Sequence, residues 1–173
     1  MKSFCKYFVL IFLVSAQFTF AQKLSRKEKK ILKTIEANNA EAIEFLKDVV
    51  NINSGTMNHK GVKKVGDVMG KAFEDIGFKS SWYDMSQVNR SGHLFAETSG
   101  NKGKKLLLIG HLDTVFEENS PFQEFKMVND SIAHAPGGND MKGGNVIILY
   151  ALKALHENAS MFLTRLCVKT DLY

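Results

Sequence analysis

The sequence predicts an α/β fold, and three observations carry that prediction. Apolar residues recur at steps of three and four from Lys60 to Ile76, a short apolar run from Leu106 to Ile109 is closed by Gly110, and the stretch from Met141 to His156 is apolar almost all round. The first is the period of an amphipathic helix. The second has the length of a buried strand, and the third marks a helix held between layers.

Taken in order, the 173-residue chain carries a formal charge of +5 and opens on Lys2 and Lys6. An apolar run from Tyr7 to Val14 follows, and then Ser15 to Ala21, ending Thr19-Phe20-Ala21. This is the pattern of a secretory signal peptide over residues 1–21, cleaved after Ala21. The run falls short of the roughly 18 residues that a spanning helix needs, and Gln17 interrupts its extension. A periplasmic or secreted protein with no stable membrane anchor is expected. Cleavage would remove Cys5 and leave Cys167, which excludes an intrachain disulfide. Lys23, Arg26, Lys27, Lys29, Lys30 and Lys33 interleave with Leu24, Ile31, Leu32 and Ile35 at helical spacing. They read as a solvated helix face, not a nucleic-acid surface.

A helix is predicted from Ser25 to Asn51, broken at Asn38-Asn39, with Ala42, Ile43, Phe45, Leu46, Val49 and Val50 facing a core. After a turn at Asn53-Ser54-Gly55, the Lys60–Ile76 helix buries Val62, Val65, Met69, Ala72 and Ile76, and Gly77 supplies its C-terminal cap. Phe78 to Met85 and His93 to Thr98 read as strands, and Gly100-Asn101-Lys102-Gly103 leads into the Leu106 strand, expected at the centre of the sheet. Phe122 to Val128 and Ser131 to His134 flank a hairpin turn at Asn129-Asp130. Pro136-Gly137-Gly138-Asn139 then breaks the chain before Asp140 and the last helix.

His111 falls where the Leu106 strand gives way to loop, the ligand-binding edge of an open α/β sheet. If the chain stays extended for two more residues, His111 and Asp113 share a face. The carboxylate can then accept one ring N–H and leave the other nitrogen for a metal. Asp140 sits at or just before the last helix, where, taken alone, a plain N-cap is the better account. A phosphate loop is excluded because Lys142 precedes Gly143 and no Ser or Thr follows Gly144, and no dinucleotide fingerprint occurs. Gly143 and Gly144 each cost a helix interior up to about 1 kcal/mol relative to Ala, so they point to close backbone approach.

Gly110-His111-Leu112-Asp113-Thr114-Val115, followed by Asn139-Asp140-Met141-Lys142-Gly143-Gly144-Asn145, resembles the aminoacylase/carboxypeptidase family of dinuclear zinc exopeptidases, glutamate carboxypeptidase type. Asn51-Ile52-Asn53-Ser54-Gly55-Thr56 and Ile76-Gly77-Phe78 match as well, so the likeness runs from about Glu44 to about Glu157. The resemblance implies a three-layer αβα zinc-exopeptidase-like catalytic domain, N-terminal portion only, over residues 22–160, with a divergent tail at 161–173. It implies two zinc ions, His111 as a ligand of one, Asp140 bridging both, and Asp113 as the catalytic-site carboxylate that orients His111. It also implies a cis bond between Asp140 and Met141, and a peptide or N-acyl amino acid as substrate.

The sequence departs from the family where a Glu-Glu pair should supply the general base and a further zinc ligand. No such pair follows Asp140, and Glu157 is the last glutamate. The family's later acidic ligand, distant histidine and dimerisation domain are also missing from this sequence, Ala135 stands where glycine is usual, and His134 replaces an aromatic. Glu117 and Glu118 read as solvating their loop, and His59, His93, His134 and His156 make no evident ligand set, His134 being nearest to Asp140. A strand through Phe162, Thr164, Leu166 and Val168 is expected in the tail. The expectation is a zinc-dependent hydrolase by family, a metallo-exopeptidase/carboxypeptidase or N-acyl amino acid amidohydrolase. The chain would be cut short before the glutamate pair, by truncation or a frame change near Ser160, and inactive alone. The alternative is a non-catalytic fragment that keeps the fold as a binding or interaction module.

Overall fold

The structure, a computed structural model, describes residues 23–99, 105–159 and 166–170. The expected signal peptide lies outside them, as do Phe162 and Thr164 of the expected tail strand.

Helix α1, Arg26–Val50, begins at a capping box: Glu28 N donates to Ser25 Oγ, and Ser25 N donates to Glu28 Oε2 at 2.7 Å. Two donors that no helical carbonyl can reach are satisfied in this way. The helix runs through Asn38-Asn39 without the expected break. Asparagine costs a helix interior less than about 0.7 kcal/mol, too little to stop a helix held by tertiary contact. Asn38 in fact reaches Glu157 near the end of the last helix, at 3.4 Å. The first half of α1 projects past the core, so Leu24, Leu32 and Ile35 stay exposed. Ile43, expected inward, is exposed too, whereas Val49 and Val50 are fully buried.

Helix α2, His59–Asp75, starts at Asn58, whose side chain accepts from Gly61 N at 3.0 Å. It buries Val62, Val65 and Met69 as its period requires, and also Phe73. It ends at Ile76, and Gly77 follows at φ +85°, a left-handed conformation that glycine adopts without penalty.

Strands β1 (Lys79–Asp84), β2 (Gly92–Glu97) and β3 (Leu106–Gly110) come next, then a separate hairpin of β4 (Lys126–Asn129) and β5 (Ile132–His134). A wide π-type turn, Gly138–Lys142, leads into α3 (Gly143–Glu157), and β6 (Leu166–Thr170) completes the sheet. The sheet order is β1-β2-β6-β3, with β6 antiparallel to β2 and parallel to β3.

One expectation is corrected here. Among the described residues β3 lies at the end of the sheet, not at its centre. Helix α2 packs on β1 and β2. The physical difference shows along β3 itself: Leu108 joins the core, while Leu107 and Ile109, facing the other way, are 54% and 60% exposed. An unbroken apolar run identifies a strand suited to cover on both faces, but the described residues cover one.

That covered face is where the core sits. Leu94, Ala96 and Val168 from the sheet meet Val65, Met69 and Phe73 of α2 and Val146, Leu149 and Leu152 of α3. Helix α1 lies outside α3, tied to it by Tyr150 Oη donating to Glu41 at 3.2 Å and Lys153 at 2.6 Å. Helix α3 is buried on most of its circumference, but Ile147, at 71% exposure, and Ala151 form an open strip.

Candidate metal centre

The chain leaves β3 at Gly110 and stays extended. Thr114 N donates to Ser54 O at 2.8 Å, Thr56 N donates to Thr114 O at 3.1 Å, and Gly55 pairs in parallel with Thr114. Ser54 Oγ adds a buried bond to Leu112 O at 2.9 Å. The turn between α1 and α2 therefore serves as a short strand that holds residues 112–114 straight. As period two then requires, His111 and Asp113 share a face, and His111 Nδ1 lies 3.1 Å from Asp113 Oδ1. The other ring nitrogen, Nε2, lies 2.9 Å from Asp140 Oδ1. Asp113 is buried, His111 half-buried, and the Asp140 side chain 83% exposed.

Acceptors thus flank both ring nitrogens of His111. Burial opposes a charge there, but the hydrogen bond to Asp140 and the adjacent Asp113 carboxylate outweigh it, and the imidazole pKa is raised. The three residues line a cavity of about 820 Å³, with Thr56, Arg90, Phe116, Phe122 and Met141 among its other walls.

Asp140 does not cap α3. It stands inside the π-type turn with an extended backbone (φ −135°, ψ 95°), the Asp140–Met141 bond is cis as the resemblance implied, and α3 starts three residues later. Gly143 earns its place by close approach: a β-carbon there would stand 2.4 Å from Gly138 O. Gly110 is similar, since its β-carbon would stand 2.2 Å from Asn145 Oδ1.

Four residues of the motifs are parts of the site's frame that the motifs alone do not reveal. Thr56 Oγ1 donates to Asp113 Oδ2 at 2.5 Å, and Ser54 braces Leu112. Asn145 Nδ2 donates to His111 O at 2.6 Å, and Lys142 Nζ donates to Val49 O and Ile52 O. The signal that could have found them was a polar residue at an otherwise buried position. Glu117 and Glu118 fasten their loop as well as solvating it, accepting from Met57 N and Asn58 Nδ2. His134 packs edge-on against Phe122 and does not line the cavity. Among the described residues no group of three or more His, Cys, Asp or Glu is arranged to hold a metal ion.

Thr56→Val should expose the cost of the Asp113 clamp. Hydrogen bonds to charged groups contribute about 1.5–3 kcal/mol, and Asp113 Oδ2 would lose the Thr56 hydroxyl in a buried setting. Urea unfolding should show a loss of that size for Thr56→Val and little for Thr56→Ser. Equal stability of the two would remove Thr56 from this account.

An α/β layer with a histidine at a strand end, a buried aspartate behind it and a second aspartate facing it has the fold of the N-terminal portion of zinc exopeptidases. Residues 107–163 match the model of Peptidase family M20/M25/M40. Carboxypeptidase G2 of Pseudomonas sp. (strain RS-16) is 29% identical over 149 residues, covering 83% of this chain and 35% of that protein. Human carnosine dipeptidase 1 superposes with a TM-score of 0.72 at 18% identity, over 83% of this chain and 34% of its own. An M20 family metallo-carboxypeptidase from Sulfolobus solfataricus gives 0.63 at 20% identity, over 76% and 30%. The chain spans about a third of the length of these relatives.

Proposed function

We propose that the protein is the N-terminal part, residues 22–160, of a zinc-dependent hydrolase that acts on peptides or N-acyl amino acids. His111 and Asp140 would hold the metal, and Asp113 would orient His111. The observation that carries this reading is the approach of His111 Nε2 and Asp140 Oδ1, at 2.9 Å on a cavity wall, with Asp113 behind the other ring nitrogen. The donor set fits zinc: a neutral imidazole suits one ion, and an exposed carboxylate with two oxygens can serve one or two. When bound, zinc supplies Lewis acidity toward a carbonyl and lowers the pKa of its water.

The chain's own residues do the positioning. Asp113 keeps the Nδ1 proton in place, so that Nε2 presents its lone pair to the cavity, and Thr56 fixes Asp113 in turn. Phe116, Phe122 and Met141 give the cavity apolar walls for a substrate side chain, and Arg90 offers a cation for a carboxylate. The peptide class rests on the relatives, which are a carboxypeptidase, a dipeptidase and a metallo-carboxypeptidase.

Export through a signal peptide at residues 1–21 belongs to the same proposal. No helix among the described residues is long and apolar enough to cross a membrane. The test of the metal reading is a zinc titration followed by the ring resonances of the histidines. Nε2 of His111 should respond in the wild-type chain, and His111→Ala and Asp140→Asn should each bind more weakly. Equal binding by all three proteins would sink it.

A further inference from the structure

Lys142 is 2% exposed, an unusual place for an ammonium group. Its Nζ donates to Val49 O at 2.9 Å and Ile52 O at 2.8 Å. Val49 belongs to the last turn of α1, where carbonyls run out of helical donors and a cation is favoured. Lys142 thus closes α1 from 93 residues away in sequence. Its own backbone is held as well, with Lys142 N donating to Gly137 O at 2.8 Å. Two residues earlier stands Asp140, whose exposed carboxylate faces the His111 ring at 2.9 Å.

We propose that Lys142 is a positioning residue of the candidate metal centre: its two bonds lock the Gly138–Lys142 turn onto the end of α1 and thereby set where Asp140 stands relative to His111. The inference deepens the metal reading and rests on it for its functional consequence. Core filling alone does not explain the lysine, because methionine fills a similar volume with no buried charge to desolvate. What only a long cationic donor supplies is the satisfaction of two carbonyls that point into the gap between α1 and the turn.

The test compares the full chain with K142M, K142R and K142Q, by zinc titration and by crystal structures. K142M should weaken zinc binding about 10–100-fold, the range seen when a group supporting a metal ligand is removed. Its Asp140 carboxylate should also move out of hydrogen-bond reach of His111 Nε2. K142R, which keeps a long cationic donor with more than one N–H, should recover most of the affinity. A purely structural lysine would lower the unfolding midpoint of K142M and leave both the affinity and the separation at wild-type values, and that result overturns the proposal. If K142M does not fold, K142Q carries the same comparison: wild-type affinity and separation overturn the proposal, and a loss of both that K142R does not share supports it. If the wild-type chain and His111→Ala bind zinc alike, the metal reading falls, and the His111–Asp140 separation in the variant structures still decides the role of Lys142.

Discussion

Purified from Gln22 to Tyr173, the chain is expected to hydrolyse neither glutamyl peptides nor N-acyl amino acids, and to bind zinc with a Kd no tighter than about a micromolar. A catalytic zinc normally has three protein ligands and a water, and His111 and Asp140 are two. Apparent binding free energies of about 10–16 kcal/mol belong to four-ligand structural sites, whereas a micromolar Kd corresponds to about 8.2 kcal/mol. Loss of a general base costs a further 10²–10⁴ in rate, on the order seen for positioned acid–base groups, and the sequence has no glutamate pair after Asp140. The weak binding should depend on pH with a definite sign. The His111 ring must be unprotonated at Nε2 to bind zinc, and its pKa is raised, so affinity should grow as pH rises through that pKa and fade below it. Calorimetry at several pH values and turnover assays are the measurements. Tight stoichiometric binding of two zinc ions, or hydrolysis abolished by His111→Ala, would show that other parts of the chain or a second copy supply the missing groups.

How much of this was legible in the sequence depends on the range of the interactions. The α2 helix, the β4–β5 hairpin and the position of His111 at the end of β3 follow from local period and turn chemistry, and the structure agrees on each. The pairing of His111 with Asp113 was legible for the same reason, since period two acts over two residues. Its pairing with Asp140, 29 residues on, came from family likeness, because no local rule brings a strand end to a turn before a helix. What stayed hidden was the long-range polar bracing. Lys142 shows its role only once α1 is placed beside it, and Thr56 only once Asp113 is. The edge position of β3 was hidden for a different reason. Apolar composition reports which faces a strand can bury, while sheet order depends on partners that composition does not name.

Phe73→Ala should cost the fold about 3–5 kcal/mol, the usual loss when a large aromatic leaves a cavity in a packed core. Phe73 is 1% exposed and is among the largest fully buried side chains of the described residues. Its ring lies 5.5 Å from that of Phe78 at a tilt of 58°, a contact that helps join the α2 end to the entry of β1. Backbone geometry adds to the join, since Phe78 N donates to Phe73 O at 3.1 Å and holds the two residues at fixed spacing whatever side chain is present. The cavity therefore cannot close by sliding the strand toward the helix, which places the expected loss toward the upper part of the range. Folded domains are stable by only about 5–15 kcal/mol, and here one face of β3 is open, so Phe73→Ala should leave the chain close to its unfolding transition at room temperature. Urea denaturation followed by far-ultraviolet circular dichroism measures this, with Phe73→Leu as the control that keeps most of the volume. A loss under about 1 kcal/mol for the alanine variant, well below the cavity range, would mean that the α2–β1 corner is not packed as described.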